Sequence, residues 1–424
     1  MSAVRELLDL TAIMRAQYEA RPALEARQLR GVRDMLAHAR GTVPYYADHS
    51  YQGGLTDLSD VTRLPVLRKS DVLAAGAPTL RSSAVGERDV VMTRTSGTSG
   101  RRLDVAHDRR HMAYHNAACL RRFLATEAYR PWYRLVHLRP TPMPTRWYQR
   151  LGLFRREVAL SSWSPPRVRE AVLERRPQVL IGYPAMLREL VRTVEPDELD
   201  RLRSSLRLVF TESELLVDEH RAQLQEAFGA PIFDEYSAYE VLNIAFDCVE
   251  GSAHVAEDRL LVEIVDADGQ PVPDGEEGVV VVTAFQERAM PLVRYWLGDR
   301  GRFVPGRCPC RRTFRRLELT RGRSDDHVVL PDGSLLYVDT FLYLAAELPG
   351  VAESAVRQDR DGLVTIHLVP DRRADGDFDA VAGSYVDRLQ GLVRRRIPLR
   401  VERRERLTFT EGGKGAFLKS DYRR

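Results

Sequence analysis

Long apolar runs are missing from this 424-residue chain: nothing approaches the ~18–20 consecutive apolar residues that a membrane-spanning helix needs. The first residues, with Arg5, Glu6, Asp9 and Arg15 among them, contain no signal-like apolar core. A cytoplasmic protein without a membrane partner is expected. Cysteine is scarce as well. Four thiols (Cys119, Cys248, Cys308, Cys310) are too few to staple a secreted chain of 48.2 kDa, so their spacing reads as chemistry or metal binding. Charge of one sign is also lacking: 64 basic residues stand against 60 acidic ones and the two are interspersed. A nucleic-acid partner is not expected, because phosphate-backbone binding needs a concentrated basic surface. Lysine is nearly absent, with Lys69, Lys414 and Lys419 the only three.

Hydrophobic residues make up 44% and charged residues 29%, which suits a globular protein of two to three domains at ~100–200 residues each. Residues 1–40 carry apolar positions at helical spacing. From Val90 onward, short β-branched runs (Val90–Thr93, Leu135–Leu138, Val179–Ile181, Leu208–Phe210, Pro231–Phe233) alternate with helix-like stretches at 108–125, 167–176, 185–193 and 217–228. That alternation predicts an α/β fold with a mostly parallel sheet covered by helices. Past Asp247 the pattern turns β-rich, with runs at Leu260–Val265, Val279–Phe285 and Met290–Tyr295, and predicts a smaller antiparallel or barrel-like subdomain over about 247–321. The boundaries expected are a large domain at 1–321 and a small C-terminal α+β domain at 322–424.

Five segments stand out, in order. Thr95, Ser96, Gly97, Thr98, Ser99 and Gly100 follow a strand-like run. Glycines let backbone N–H groups approach a polyanion and hydroxyls add donors, as in a phosphate-cradling loop, although an ordinary turn has the same composition and the Gly-Lys-Ser/Thr ending of a P-loop is absent. Phe233-Asp-Glu-Tyr-Ser-Ala-Tyr-Glu240 offers an aromatic ring for stacking and a carboxylate suited to Mg²⁺, or else a solvated acidic turn. Pro291-Leu-Val-Arg-Tyr-Trp-Leu-Gly-Asp299, Arg321-Gly-Arg-Ser-Asp-Asp326 and Glu411-Gly-Gly-Lys414 complete the series.

In that order the segments resemble the adenylate-forming superfamily of acyl-CoA synthetases, luciferases and peptide-synthetase adenylation domains. The likeness is nearest to its phenylacetate-CoA ligase-like branch, through Val43-Pro-Tyr-Tyr46, Leu64-Pro-Val-Leu-Arg-Lys69 and Ile181-Gly-Tyr-Pro184. The resemblance implies ATP bound with its β- and γ-phosphates in the Thr95–Gly100 loop, and Glu214 beside the adenine. Tyr236 would stack on that ring with Ser237 next to it, and Glu240 would hold Mg²⁺. Asp299 would bind the ribose with Arg323 assisting, and Asp325 would be the hinge of a mobile C-terminal domain. Lys414 would be the catalytic cation, its three rotatable donors suited to bridging acid and phosphate oxygens. Its Glu-Gly-Gly setting favours Lys414 over Lys419. Candidates for the acid pocket are Tyr133, Tyr183, Ser213, Ala238 and Tyr239.

The implied reaction is ATP-dependent activation of a carboxylic acid as an acyl-adenylate, with pyrophosphate released and the acyl group passed to a thiol, coenzyme A first. An amine or a carrier protein is the alternative acceptor, and a homodimer is a candidate assembly. The chain departs from the family pattern: Tyr239 replaces a small hydroxyl residue, Ser237 replaces glycine, and Glu212-Ser213 stands where many relatives have Thr-Gly. A nucleotide-binding scaffold that has lost catalysis is therefore the reading of another class.

Cys248 and His254, with Cys308 and Cys310, supply three thiolates and an imidazole, the donor set of a closed structural zinc site; two unrelated buried thiols and a surface histidine fit the spacing too. A similar arrangement in the phenylacetate-CoA ligase-like branch favours structural Zn²⁺. Cys119 reads as a buried apolar thiol. His107, His111 and His115, four residues apart on an expected helix, lack a His-Glu-x-x-His pattern and are assigned to packing or to lining the substrate side.

Overall fold

The computed structural model describes residues 3–47, 49–94, 103–139, 143, 145, 147–160, 165–321, 327–329, 335–337, 341, 344–345, 348, 350–370, 377–393, 398–405, 407 and 418–420. Its centre is an eleven-stranded sheet. Helices α1 (Ala3–Ala16), α2 (Arg21–Thr42), α3 (Lys69–Ala75) and α4 (Ala77–Leu80) precede a two-stranded ribbon of β1 (Val90–Arg94) and β2 (Asp104–Asp108). Helix α5 (Arg109–Leu124) follows, its N-terminus capped by the Asp108 carboxylate, which accepts from His111 N at 2.6 Å.

The alternating region then unfolds in order: β3 (Leu135–Arg139), α6 (Trp147–Arg150), β4 (Arg156–Leu160), α7 (Pro165–Arg175), β5 (Val179–Gly182), α8 (Pro184–Thr193), α9 (Pro196–Ser205), β6 (Leu208–Glu212), α10 (Asp218–Phe228) and β7 (Ile232–Ala238). Strands β4, β3, β5, β6 and β7 lie side by side, all parallel. Helix starts and stops follow local chemistry. Pro184 and Pro196 open α8 and α9, where a missing N–H costs nothing, and Gly229 closes α10 in the left-handed region at φ +61°.

The β-rich segment takes the antiparallel of its two expected forms and continues the same sheet. Strands β8 (Leu242–Asp247), β9 (Ala253–Val255), β10 (Leu260–Val265), β11 (Gly278–Ala284), β12 (Tyr295–Val304) and β13 (Arg316–Arg321) extend it from β7 in the order β8-β9-β13-β12-β11-β10. Met290–Arg294 is not a strand. It is an irregular lead-in to β12, and its Arg294, at φ +49°, donates to the carbonyls of Thr62, Leu64 and Gly269 and pairs with Glu263 at 2.9 Å. Tyr46 donates to Pro291 O at 2.8 Å. The two N-terminal signature segments are thereby tied to the third motif.

Beyond β13 come β14 (His327–Val329) with β15 (Leu335–Tyr337), and then a four-stranded sheet covered by α11 (Phe378–Val393). That sheet contains β16 (Val351–Gln358), β17 (Val364–Pro370), β18 (Leu399–Arg403) and β19 (Leu418–Ser420) in the order β18-β17-β16-β19. It has its own apolar core, built on Ile366, Leu368, Tyr385 and Leu389. The large sheet is cored on both faces. Val136, Leu138, Leu180 and Val209 pack under α7–α10, while Leu135, Val179, Leu208 and Phe210 pack toward α5. Every residue of β11 is buried, and each of its valines contributes about 1.5–3 kcal/mol relative to exposure.

Candidate active site

In an open sheet with parallel strands, ligands gather outside the carboxyl ends, where the loops diverge. Here β5, β6 and β7 end in three of the segments singled out by sequence. Tyr183 follows β5 and caps α8. Ser213 follows β6 at φ +72°, a conformation that costs a non-glycine residue of order 1–3 kcal/mol and marks a turn held by its surroundings. That turn swings Glu214 beneath α8, where its carboxylate accepts from Ala185 N at 3.1 Å. Tyr183 is hydrogen-bonded to both Ser213 and Tyr239, so three candidate pocket residues meet in one chain of hydroxyls.

Strand β7 carries the second motif. Its register against β8 shifts between Tyr236 and Ser237, and the bulge re-aims both side chains at the strand's end. Tyr236 Oη donates to Asp299 Oδ2 of β12 at 2.5 Å, joining motifs 63 residues apart in sequence. Ala238 closes a turn with Val241. Glu240 is buried at 4% exposure, and its Oε1 lies 3.4 Å from the Tyr295 hydroxyl. Thus Tyr183, Ser213, Glu214, Tyr236, Ser237, Ala238, Tyr239, Glu240 and Asp299 gather around one edge of the sheet.

Tyr133 does not join them. It precedes β3, at the amino end of a strand parallel to β5 and β6, and packs edge-on to Tyr129 in the aromatic core beneath α5. Its place in the pocket is withdrawn, because sequence shows that a tyrosine flanks a strand but not which end of the sheet it serves. The Thr95–Gly100 loop, Arg323, Asp325 and Lys414 lie outside the described residues.

Sequence reasoning missed a buried polar network behind Ser213. Glu212 accepts from His137 Nε2 and from Arg122, each at 2.9 Å, and Arg122 also pairs with Glu235, which accepts from Asn243. Burial alone would raise Glu212, but His137 and the Arg122 guanidinium outweigh it and hold the carboxyl well below the usual carboxylate range. The signal was available: a histidine inside the apolar run Leu135–Leu138 and a glutamate closing β6 are polar groups that need partners. The histidine stripe is also corrected. His107 belongs to β2, and only His111 and His115 lie on α5.

A second cluster lies on the antiparallel side. Donor atoms of Cys248, His254, Cys308 and Cys310 all fall within 4.8 Å of one another. Cys248 Sγ is 3.7 Å from Cys308 Sγ, and Cys310 Sγ is 3.3 Å from His254 Nε2. His254 Nδ1 donates to Phe314 O at 2.8 Å, which leaves Nε2 as the lone-pair nitrogen turned to the sulfurs. Burial pushes the Cys248 thiol up to about 12, so a cation beside it would be needed to keep that sulfur a thiolate. The donor set and its orientation fit a four-coordinate zinc ion.

Residues 46–286 match the AMP-binding enzyme family. The chain belongs to that family. Among members of this AMP-binding enzyme family, it is 29% identical over 333 residues to the phenylacetate-coenzyme A ligase of Thermus thermophilus, covering 73% of this chain and 72% of that one. In fold, it resembles 2-hydroxyisobutyryl-CoA ligase in the postadenylation state, with a TM-score of 0.78, 18% identity, and coverage of 96% of this chain and 91% of that one. The same ligase in the thioesterification state, with CoA bound, gives a TM-score of 0.62 at 19% identity, covering 96% and 92%.

Proposed function

We propose that this AMP-binding enzyme is an acid-thiol ligase that activates a carboxylic acid as its acyl-adenylate, releases pyrophosphate and passes the acyl group to coenzyme A. The observation that carries the reading is the convergence of Tyr236, Glu240 and Asp299 with the Glu214 turn at one sheet edge, from segments far apart in sequence. Attack of a carboxylate on the α-phosphorus brings two anions together, so backbone donors, a divalent ion and a mobile cation are what the step needs. Mg²⁺ would supply part of that charge. Glu240, a buried carboxylate side chain, has the donor oxygen it prefers. Thr95–Gly100 would hold phosphates, Tyr236 the adenine beside Glu214 and Ser237, and Asp299 with Arg323 the ribose. Lys414 would complete the α-phosphate site when the C-terminal domain, 322–424, turns about Asp325. The Cys248, His254, Cys308 and Cys310 cluster would hold a structural Zn²⁺ with no part in the reaction.

The acid pocket is polar. Tyr183, Ser213 and Tyr239 present hydroxyls, and Glu212, Arg122 and His137 stand behind them. That lining supports an acid bearing hydrogen-bonding substituents over a plain fatty acid, because covering polar hydroxyls with an apolar ligand removes water without a compensating hydrogen bond.

The test is pyrophosphate release with ATP and Mg²⁺ across hydroxylated and aminated aryl acids, amino acids and fatty acids, then thioester formation on adding coenzyme A. Polar acids should give both, and Lys414→Ala should lose pyrophosphate release by at least ~10²-fold, the scale of removing a charge-stabilising donor. Silence with every acid despite ATP binding would favour the scaffold. Amide formation with amines, and none with the thiol, would favour the amine acceptor.

A further inference from the structure

Three buried side chains outside the residues assigned above converge between the nucleotide-loop ribbon and the large sheet. His107 lies in β2, His111 lies in the first turn of α5, and Glu287 sits in the loop after β11. They are 0%, 2% and 2% exposed, and one donor atom from each lies within 4.8 Å of the others. Glu287 Oε2 is 2.5 Å from His107 Nδ1 and 3.6 Å from His111 Nε2. Its other oxygen, Oε1, accepts from Asp108 N and Ala289 N, both at 3.1 Å, and this fixes Oε2 toward the imidazoles.

Two features of this cluster suit a metal ion. His107 Nε2 lies 3.0 Å from the Tyr239 carbonyl, which only accepts, so Nε2 carries hydrogen and Nδ1 is the atom turned to Glu287 Oε2. His111 is the second feature. Neither of its ring nitrogens has a hydrogen-bond partner among the described residues, and a buried polar atom left so forfeits the hydrogen bonds it had in water.

We propose that His107, His111 and Glu287 form a second metal site, taking a divalent transition-metal ion of the zinc type. Two imidazoles and a carboxylate are ligands such ions accept, and three protein donors leave a coordination place for water or a ligand atom. The hydrogen bond from His107 Nε2 to the Tyr239 carbonyl is the outer contact that orients a metal-binding ring, as the bond to Phe314 does for His254. The ion would join the stem of the Thr95–Gly100 loop, through β2 and its partner β1, to the segment bearing Glu240.

The test is metal stoichiometry on the untagged full chain, equilibrated with Zn²⁺ and freed of loosely held ion by gel filtration, together with the visible spectrum after Co²⁺ replacement. Two equivalents per chain are expected, one showing thiolate-to-cobalt charge-transfer bands and one without them. His111→Phe should fall to one equivalent with the thiolate bands intact. A wild-type chain that binds one ion carrying thiolate bands, or none at all, overturns the proposal, since the cluster would then be holding a proton; so does His111→Phe still binding two. One ion without thiolate bands would support this site and sink the cysteine cluster instead. If His111→Phe fails to fold, the wild-type stoichiometry and spectrum decide alone.

Discussion

At the scale of single residues, the second motif rests on a close pair of acids, Asp247 buried and Asp234 half-buried. Asp234 N donates to Asp247 Oδ2 at 2.8 Å, Thr211 donates to the Asp234 carboxylate, and Arg221 pairs with Asp247 at 2.9 Å. Arg221 lets Asp247 take the negative charge, while burial first, and the Asp247 charge second, push Asp234 up to about 7. The folded state therefore holds a proton on Asp234 that the unfolded chain releases near the ordinary carboxylate value of about 4. Between about pH 4 and 7 the native state binds more protons than the unfolded one, so this site's contribution to stability is present below that window and is lost as pH rises through it. Asp234→Asn should flatten that part of the profile, measured as the urea midpoint from pH 4 to 8. An unchanged slope would mean that Asp234 ionises normally in the fold.

Tyr236, Glu240 and Asp299 could be singled out because their motifs are written in local order, and the fold joins Tyr236 to Asp299. The Glu212, Arg122 and His137 network was not, because its partners come from β6, α5 and β3, 75 residues apart for Glu212 and His137, and only the sheet order makes them neighbours. Tyr133 erred for the same reason in reverse: a residue type suited to a pocket stands at the wrong end of its strand.

At the scale of elements, the parallel strands and their helices were legible from runs of β-branched residues alternating with amphipathic stretches. The elements that escaped have little apolar signal. Strand β4 is an edge strand reading Arg-Glu-Val-Ala-Leu, β2 pairs only with β1, and α9 is polar on most positions, although Pro196 and the Glu195–Glu198 capping box announce its start. Met290–Arg294 read as a strand because it is apolar, yet its role is to seat Arg294 among three carbonyls, a packing duty with no periodicity.

Helix α2 shows how an element's sequence can obey a neighbour over its own propensity. Glycine at position 31, inside a 22-residue helix, gives up about 1 kcal/mol relative to alanine. A Cβ there would lie 2.5 Å from Phe285 Cγ, however, closer than a ring held in the core can tolerate. Gly31→Ala should therefore destabilise the protein by about 1–3 kcal/mol instead of stabilising it, read from chemical denaturation. A gain in stability would show that Phe285 moves aside freely.

At the scale of the whole molecule, the proposed two-step reaction would turn on a hinge at Asp325 and on the Lys414 ammonium. The chain's near-total use of arginine sharpens this. Of 64 basic residues only three are lysines, and two of those fall in the last eleven positions. Arginine suits the buried staples, where Arg121, Arg259 and Arg294 each satisfy several acceptors with a fork that stays charged. A compact ammonium on a flexible stem suits a residue that arrives by motion.

If the C-terminal domain turns about Asp325 between steps, fixing the backbone torsion there should separate the half-reactions. Asp325→Pro removes one rotatable angle and a backbone donor. Pyrophosphate release and thioester formation from separately supplied acyl-adenylate should then fall unequally, by at least ~10-fold relative to one another, as expected when one orientation is trapped. Equal losses in both assays would place the defect in general folding or nucleotide binding and remove the hinge. Melting curves matching the wild type would be required for the unequal result to count, because a locally unfolded tail would slow whichever step needs Lys414 without any rotation being blocked.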